Sequence, residues 1–191
     1  CFSSSTNISS LNGNQKIESI EKGSVIQSID LKTNKIFNVN VGTKVSVKHH
    51  HLLKIYTDEN TLELTANHPL YFKGYGLSSL AKIRSKLKAE SFLDLEGQIK
   101  VLTWNKQLQK TEYKTIESIR QLKGAVQTHS ILKLSKGENY IANGFISKGT
   151  SLSYCVSITN DTVIPNLNFL GECFLLFPST KLSILNLTGN L

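Results

Sequence analysis

A run of alternating hydrophobic and polar residues in the first third of the chain is its clearest structural signal. Apolar residues or histidines occupy these odd-numbered positions: Val39, Val41, Val45, Val47, His49, His51, Leu53 and Ile55. Because side chains of a β-strand point alternately to its two faces, this spacing predicts one or two strands with these residues on one face. Gly42 indicates a bulge or turn within the run. Residues 57–60 predict a turn, after which Leu62 and Leu64 resume a strand.

The rest of residues 1–149 shows a similar alternation of short apolar segments and polar turns. Strands are predicted at 99–104, 112–116, 130–134 and 139–142. A single short helix is predicted at about 77–90, where Leu80, Ile83 and Leu87 have helical spacing and are expected to face the core. Short strands joined by polar turns favour an all-β fold.

Two segments of the chain repeat each other. Residues 17–20 and 116–119 both read Ile-Glu-Ser-Ile, and a Gly-x-Val step follows each copy, at 23–25 and 124–126. Two copies are too few for a solenoid, which needs about three or more stacked units. They favour a β-domain of two pseudo-symmetric halves, with a chance match of a four-residue string as the alternative.

Composition and charge narrow the class of protein. Of 191 residues, 39% are hydrophobic and 19% are charged, which is typical of a globular chain, and no apolar run approaches the roughly 18–20 residues of a membrane span. The net charge is +8, with a basic cluster at 82–88 inside the predicted helix. We interpret this cluster as a solvated helix face, because no aromatic-rich RNA-binding signature or zinc-finger spacing accompanies it. No nucleic-acid partner is expected.

The composition changes near residue 150. Residues 151–191 contain one basic and two acidic residues and are rich in Leu, Ile, Val and Phe, so the positive charge lies in the first part of the chain. We therefore predict two regions, a domain at 1–149 and an apolar extension at 150–191. The extension either covers the domain or binds something apolar. Its Cys155 and Cys173 are interpreted as buried residues or spare thiols, of undetermined redox state.

The residues with candidate chemistry are Cys1 and the block at 65–69, Thr-Ala-Asn-His-Pro. The chain contains no methionine, so we expect it to be part of a longer precursor. A cysteine thiolate can attack the carbonyl of the residue before it and convert that peptide bond into a thioester. The reaction needs a proton for the departing nitrogen and a group that holds the peptide. His68 and Thr65, on a tight turn after the strand that ends at Leu64, are candidates for these two roles.

Together these pieces resemble the Hint superfamily, which inteins, bacterial intein-like domains and the hedgehog C-terminal autoprocessing domain share. Cys1-Phe2, residues 16–20 with Gly23, residues 63–70 and residues 139–146 carry the resemblance, which covers 1–149. It implies a horseshoe-like all-β fold and an N-to-S acyl shift at Cys1 assisted by Thr65 and His68. The implied activity is single-turnover cleavage of an upstream polypeptide of the same precursor, in a monomer without cofactor or metal.

The C-terminal part departs from the intein pattern. Inteins end in His-Asn, whereas Lys148 and Gly149 stand here, before Thr150, and Glu138 replaces another frequent histidine. Gly149 has no side chain to cyclise, and a lysine is a poor proton donor near neutral pH. We therefore expect no C-terminal asparagine cyclisation and no full splicing. Water, a thiol, an amine or an alcohol would resolve the thioester.

Two alternatives remain open at this point. One is hedgehog-type transfer to a sterol or lipid. Residues 47–52 lack the aspartate that activates the sterol, so His49 or His51 is a candidate substitute base, or is simply a hydrogen-bonded inward-facing histidine. The other is a catalytically silent Hint-like binding module. His129 is interpreted as structural, and the sequence does not predict a cellular compartment.

Overall fold

Antiparallel β-structure dominates the part of the chain that the computed structural model describes, residues 1–149. The strands are β1 (Phe2–Ser3), β2 (Asn7–Ser10), β3 (Gly13–Lys16), β4 (Val25–Asp30), β5 (Lys35–Tyr56), β6 (Thr61–Leu64), β7 (Leu70–Phe72), β8 (Gly76–Ser78), β9 (Lys100–Asn105), β10 (Lys110–Thr115), β11 (Ser118–Leu134), β12 (Asn139–Ala142) and β13 (Phe145–Lys148). The predicted all-β class is confirmed. The predicted extension at 150–191, with Cys155 and Cys173, lies outside the described residues.

The strands form two sheets. One has the order β11-β1-β6-β5-β4, and β11 also pairs directly with β5. The other has the order β10-β9-β7-β13-β12-β2-β3, with β8 added beside β7. Strands β5 and β11 are the longest, and their pairing runs from Ser118 opposite Tyr56 to Leu134 opposite Val41.

The prediction for β5 is confirmed except at one position. Val39, Val41, Val45, Val47, His49, Leu53 and Ile55 are buried, whereas His51 is exposed. The reason is a bulge in the partner strand. Lys123 pairs with His51 and Val126 pairs with His49, so the register between the two strands shifts there. Gly124 adopts a φ of 120° at this point, which only glycine reaches easily. The extra residue interrupts the regular pairing next to His51, which is exposed beside the bulge.

The other predicted β-features are largely confirmed. At Gly42 the register skips one residue, because Lys133 pairs with Thr43 and Leu134 pairs with Val41. The turn at 57–60 joins β5 to β6, with Thr57 donating its backbone N–H to the Asn60 carbonyl at 2.9 Å. The predicted strand at 130–134 is much longer than expected and begins at Ser118.

The helix is shorter than predicted. Helix α1 covers Leu80–Lys86, and the hydroxyl of Ser79 accepts the backbone N–H of Lys82 at its start. Leu80 and Ile83 are buried, but Leu87 is 47% exposed, so its predicted core position is wrong. Leu87 caps the C-terminal end of the helix, and its backbone N–H donates to the Ile83 carbonyl at 2.9 Å. No helix in the described range is long and apolar enough to cross a membrane.

The repeated Ile-Glu-Ser-Ile segments contribute to one core. Ile17 and Ile20 belong to a 3₁₀ turn and the residue after it, whereas Ile116 and Ile119 flank the start of β11. All four side chains are buried in the same hydrophobic cluster. The two copies therefore have similar packing roles on different local backbones.

Candidate active site

The start of the chain lies inside the first sheet. Phe2 pairs with His129 of β11 on one side and with Leu64 of β6 on the other. This pairing fixes Cys1 beside the end of β6, and both Cys1 and Phe2 are fully buried. The first residue is therefore held by the sheet rather than left as a loose terminus.

The turn after β6 brings Thr65 and His68 to Cys1. The Thr65 N–H donates to the Cys1 carbonyl at 2.9 Å, which continues the pairing of β1 with β6 by one residue. The His68 N–H donates to the Thr65 carbonyl at 3.0 Å and closes the predicted tight turn. Pro69 follows, and β7 begins at Leu70. The order of residues in this block thus places both side chains next to the chain start.

Two side chains converge on the nitrogen of Cys1. The amino group donates to Thr65 Oγ1 at 3.0 Å and lies 2.7 Å from His68 Nδ1. Cys1 and His68 are fully buried, and Thr65 is nearly so. In a precursor this amino group would be the amide nitrogen that joins Cys1 to a preceding residue. The arrangement can hold that nitrogen and exchange a proton with it.

The surroundings of His68 favour its neutral form. Burial, and next the charge of the Cys1 amino group, hold the pKa of His68 well below its ordinary value. The Phe2 ring packs against the imidazole, with ring centroids 4.0 Å apart. Because the ammonium group can only donate, Nδ1 must present its lone pair to it.

A serine that the sequence analysis missed lies on the other side of His68. Ser147 of β13 is fully buried, and its Oγ is 2.7 Å from His68 Nε2. The only signal in the sequence is its position two residues after Phe145, which gives the two residues the same face of a strand. A serine on an inward face is common, so this signal does not identify a site residue.

The other predicted histidines have different settings. His49 is buried, and its Nδ1 is 2.7 Å from the Thr128 hydroxyl, which itself donates to the Val47 carbonyl at 2.7 Å. His51 is exposed and lines a cavity. An acceptor-activating role for either residue stays a prediction. His129 lies between the hydroxyls of Ser4 and Ser46, at 2.9 and 2.8 Å.

The C-terminal end of the described chain has an ion pair. Lys148 Nζ is 3.0 Å from a Glu138 carboxylate oxygen, with both side chains partly exposed. The Gly149 N–H donates to the Glu138 carbonyl at 2.8 Å. These are the positions where the resemblance led us to look for His and Asn. Within residues 1–149, no group of three or more His, Cys, Asp or Glu side chains is arranged to bind a metal ion.

Comparisons with known proteins agree on the fold. No family model and no curated protein matches the sequence. Among solved structures, a bacterial intein-like domain from Clostridium thermocellum has a TM-score of 0.61 and 16% identity, and 77% of this chain and 96% of that chain are covered. A DnaB intein from Synechocystis has a TM-score of 0.62 and 19% identity, covering 78% and 98%. A DnaX mini intein from Spirulina platensis has a TM-score of 0.57 and 19% identity, covering 77% and 98%. At these identities the likeness shows the fold, which is the Hint fold of inteins.

Proposed function

We propose that this chain, which has the Hint fold of inteins, is a self-processing domain that breaks the peptide bond before Cys1. The observation that carries the proposal is the pair of contacts on the Cys1 nitrogen, from Thr65 Oγ1 at 3.0 Å and His68 Nδ1 at 2.7 Å, in the buried interior. A hydroxyl and an imidazole within hydrogen-bond distance of the nitrogen can hold it and carry the thiol proton to it as the amine departs.

The first step is an N-to-S acyl shift. The Cys1 thiol sulfur attacks the carbonyl carbon of the preceding residue, so that a C–S bond forms and the C–N bond breaks. The proton that the thiol loses ends on the departing nitrogen, and His68 Nδ1 delivers it. Thr65 Oγ1 accepts the N–H of the same peptide group and holds it in place. The product is a thioester on Cys1 with a free amino group.

The second step transfers the acyl group to another nucleophile. Water, a thiol, an amine or an alcohol attacks the thioester carbonyl, and the Cys1 thiol leaves with a proton. Each chain acts once, because the upstream polypeptide is not replaced. Gly149 has no side chain that could release the C-terminal segment, so processing stops after N-terminal cleavage.

A sterol acceptor is the alternative that the hedgehog likeness raises. His51 lines a cavity of about 260 Å³ together with Leu52, Leu53 and Phe92, and Ala66, next to Thr65, also contributes. Pockets that bury drug-sized ligands measure about 300–1,000 Å³. The smaller volume favours a small nucleophile over a whole sterol. The rate of reporter release should therefore be indifferent to sterol in detergent micelles, and acceleration by sterol would support the alternative.

The test is a fusion with a reporter protein placed before Cys1 of the full chain. The purified, folded fusion is incubated with dithiothreitol or hydroxylamine, and release is followed by gel and mass spectrometry. We expect release of the reporter as its thioester-derived products. Cys1→Ala should abolish it, whereas the matched controls Cys155→Ala and Cys173→Ala should leave it unchanged. A folded wild-type fusion that stays intact under both conditions would overturn the proposal.

A further inference from the structure

The strongest unassigned feature is the buried hydroxyl of Ser147. Its Oγ lies 2.7 Å from His68 Nε2, on the side of the imidazole opposite the Cys1 nitrogen. The same hydroxyl lies 3.5 Å from two carbonyl oxygens, those of Pro69 and Lys148. Ser147 is fully buried, so water does not compete for these contacts.

The protons of this cluster can be assigned by counting donors and acceptors. The Cys1 ammonium group has only hydrogens to offer, so the short contact at 2.7 Å requires a lone pair on His68 Nδ1. A neutral imidazole that is unprotonated at Nδ1 carries its proton on Nε2. The Nε2–H must then donate to Ser147 Oγ. The single hydroxyl hydrogen of Ser147 is left for the carbonyl of Pro69 or of Lys148.

We infer that Ser147 is the positioning residue of the acyl shift: it accepts the Nε2–H of His68 and thereby keeps Nδ1 as the nitrogen that exchanges a proton with Cys1. This inference rests on the proposed function. Other sites with a nucleophile and a base also use a third group to orient the base, and here Ser147 would orient His68. Without Ser147 the neutral ring could carry its proton on Nδ1. A protonated Nδ1 has no lone pair and could not accept the thiol proton.

The chemical nature of the third group also matters. During the acyl shift His68 gains the thiol proton and passes it to the nitrogen, so the ring is cationic only in passing. A carboxylate at this position would favour the cation throughout, because a negative charge nearby raises the pKa of a histidine. A serine hydroxyl directs the Nε2–H without adding charge. It therefore fits a buried histidine that starts and ends the step neutral.

A structural role for Ser147 is the competing explanation, because its hydroxyl also lies within reach of two backbone carbonyls. Ser28 offers a matched control. Ser28 is also fully buried and also lies on a strand. Its hydroxyl donates to Asn139 Oδ1 at 3.2 Å and not to His68. If burial of any serine hydroxyl were what mattered, Ser28→Ala and Ser147→Ala would have similar effects on cleavage.

The first measurement reads the proton directly and does not depend on cleavage. Nitrogen-15 NMR of the reporter fusion carrying Cys1→Ala, which cannot cleave and in which the nitrogen of residue 1 is an amide rather than an ammonium, reports which nitrogen of His68 carries the proton. We expect Nε2–H in this fusion and in its Ser28→Ala form, and a mixture of tautomers in its Ser147→Ala form. A parent fusion protonated on Nδ1, or a Ser147→Ala form with an unchanged tautomer, would overturn the inference.

The second measurement uses the reporter fusion. Removing the hydrogen-bond partner that orients a metal-ligating histidine typically costs about 10- to 100-fold, and we take this as the scale for His68. We expect Ser147→Ala to slow thiol-induced release by that factor, Ser147→Thr to restore most of the rate, and Ser28→Ala to leave it unchanged. Wild-type speed in Ser147→Ala would overturn the inference, as would failure of Ser147→Thr to recover any rate while folded. A wild-type fusion that never cleaves refutes the proposed function instead. In that case the NMR result still tests whether Ser147 accepts the Nε2–H of His68.

Discussion

The two faces of strand β13 differ in what their side chains contact. On the inner face Ser147 reaches His68, whose other nitrogen reaches Cys1, and every member of this chain of contacts is buried. On the outer face Lys148 pairs with Glu138 in contact with solvent. Adjacent residues of one strand thus belong to a site arranged for proton exchange and to a surface ion pair.

The difference between the two faces corresponds to the part of an intein-like reaction that the proposed mechanism uses, which is cleavage before Cys1 without release of the C-terminal segment. In that mechanism the buried cluster of Cys1, Thr65, His68 and Ser147 supplies a nucleophile, a base and a hydroxyl that contacts the reacting nitrogen. The outer pair supplies two charges that satisfy each other, beside Gly149, which has no side chain. The proposed mechanism therefore places all of its chemistry around Cys1.

The largest expected effect is a difference in the rate of reporter release between a variant of the inner face and a variant of the outer face. His68→Ala removes the group that, in the proposed mechanism, delivers the proton to the Cys1 nitrogen, so thiol-induced release of an upstream reporter should slow by about 100- to 10,000-fold. Lys148→Ala, one residue from Ser147 but on the outer face, should stay within about two-fold of the wild type, because an exposed ion pair contributes little. First-order release rates measure both. Equal losses in the two variants would show that the distinction between the faces is false.

A second prediction tries to give the outer face the chemistry that it lacks. In the wild type we expect no release of residues 150–191 by mass spectrometry. In the double variant Lys148→His with Gly149→Asn, the side-chain amide nitrogen of the introduced asparagine can attack the backbone carbonyl of the same residue, forming a succinimide and freeing the amine of Thr150. Release should be slow, because a Cβ at 149 would lie only 3.3 Å from the Leu132 carbonyl oxygen.

The control for this experiment is Gly149→Ala, which adds the Cβ but no amide. It should release nothing, so that any release in the double variant is due to the asparagine and histidine side chains. Release of residues 150–191 from the wild type or from Gly149→Ala would mean that the C-terminal side is active by a route that does not need a side chain at 149.

A third prediction concerns stability and the neutral histidines beside β1. Burial, with a further contribution from Lys44, lowers the pKa of His129 to about 4, and the pKa of His68 is also lowered. Histidine has an ordinary pKa of about 6.5. Between pH 6.5 and 4 these histidines are therefore protonated in the unfolded chain but neutral in the folded chain, so the unfolded chain binds more protons. The free energy of unfolding should therefore fall as the pH is lowered through this range, by at most about 1.4 kcal/mol per pH unit for each histidine.

Urea unfolding at a series of pH values measures this slope. His129→Gln keeps a polar side chain between Ser4 and Ser46 but cannot titrate, so the slope below pH 6.5 should be shallower than in the wild type. A stability that is constant from pH 6.5 to 4 would contradict the buried, neutral state of these rings.

Much of this arrangement could be predicted from sequence, for physical reasons that particular residues show. The period of two in β5 identified its buried face, because a strand alternates faces wherever its pairing is regular. Cys1, Thr65 and His68 could be proposed because the resemblance assigns them roles, and the turn that joins Thr65 to His68 is local. The exposure of His51 could not be predicted, because this residue lies next to a bulge at Gly124 in a partner strand that is distant in sequence. Ser147 was missed for a similar reason, since its contact with His68 joins segments that meet only in the folded chain.

The smallest effect tests the outer face by itself. Lys148 Nζ and the Glu138 carboxylate are 3.0 Å apart, but the side chains are 31% and 68% exposed. Water solvates both charges, and fixing two long side chains costs entropy, so such a pair contributes about 0.2–1 kcal/mol. Glu138→Gln should lower the free energy of unfolding by no more than that, and about 1 M NaCl should reduce the difference, because salt screens exposed charges. The double variant Glu138→Gln with Lys148→Gln isolates the coupling in a double-mutant cycle. A coupling that is several times larger and indifferent to salt would mean that the ion pair is as well organised as the inner cluster, and the contrast between the two faces of β13 would then not hold.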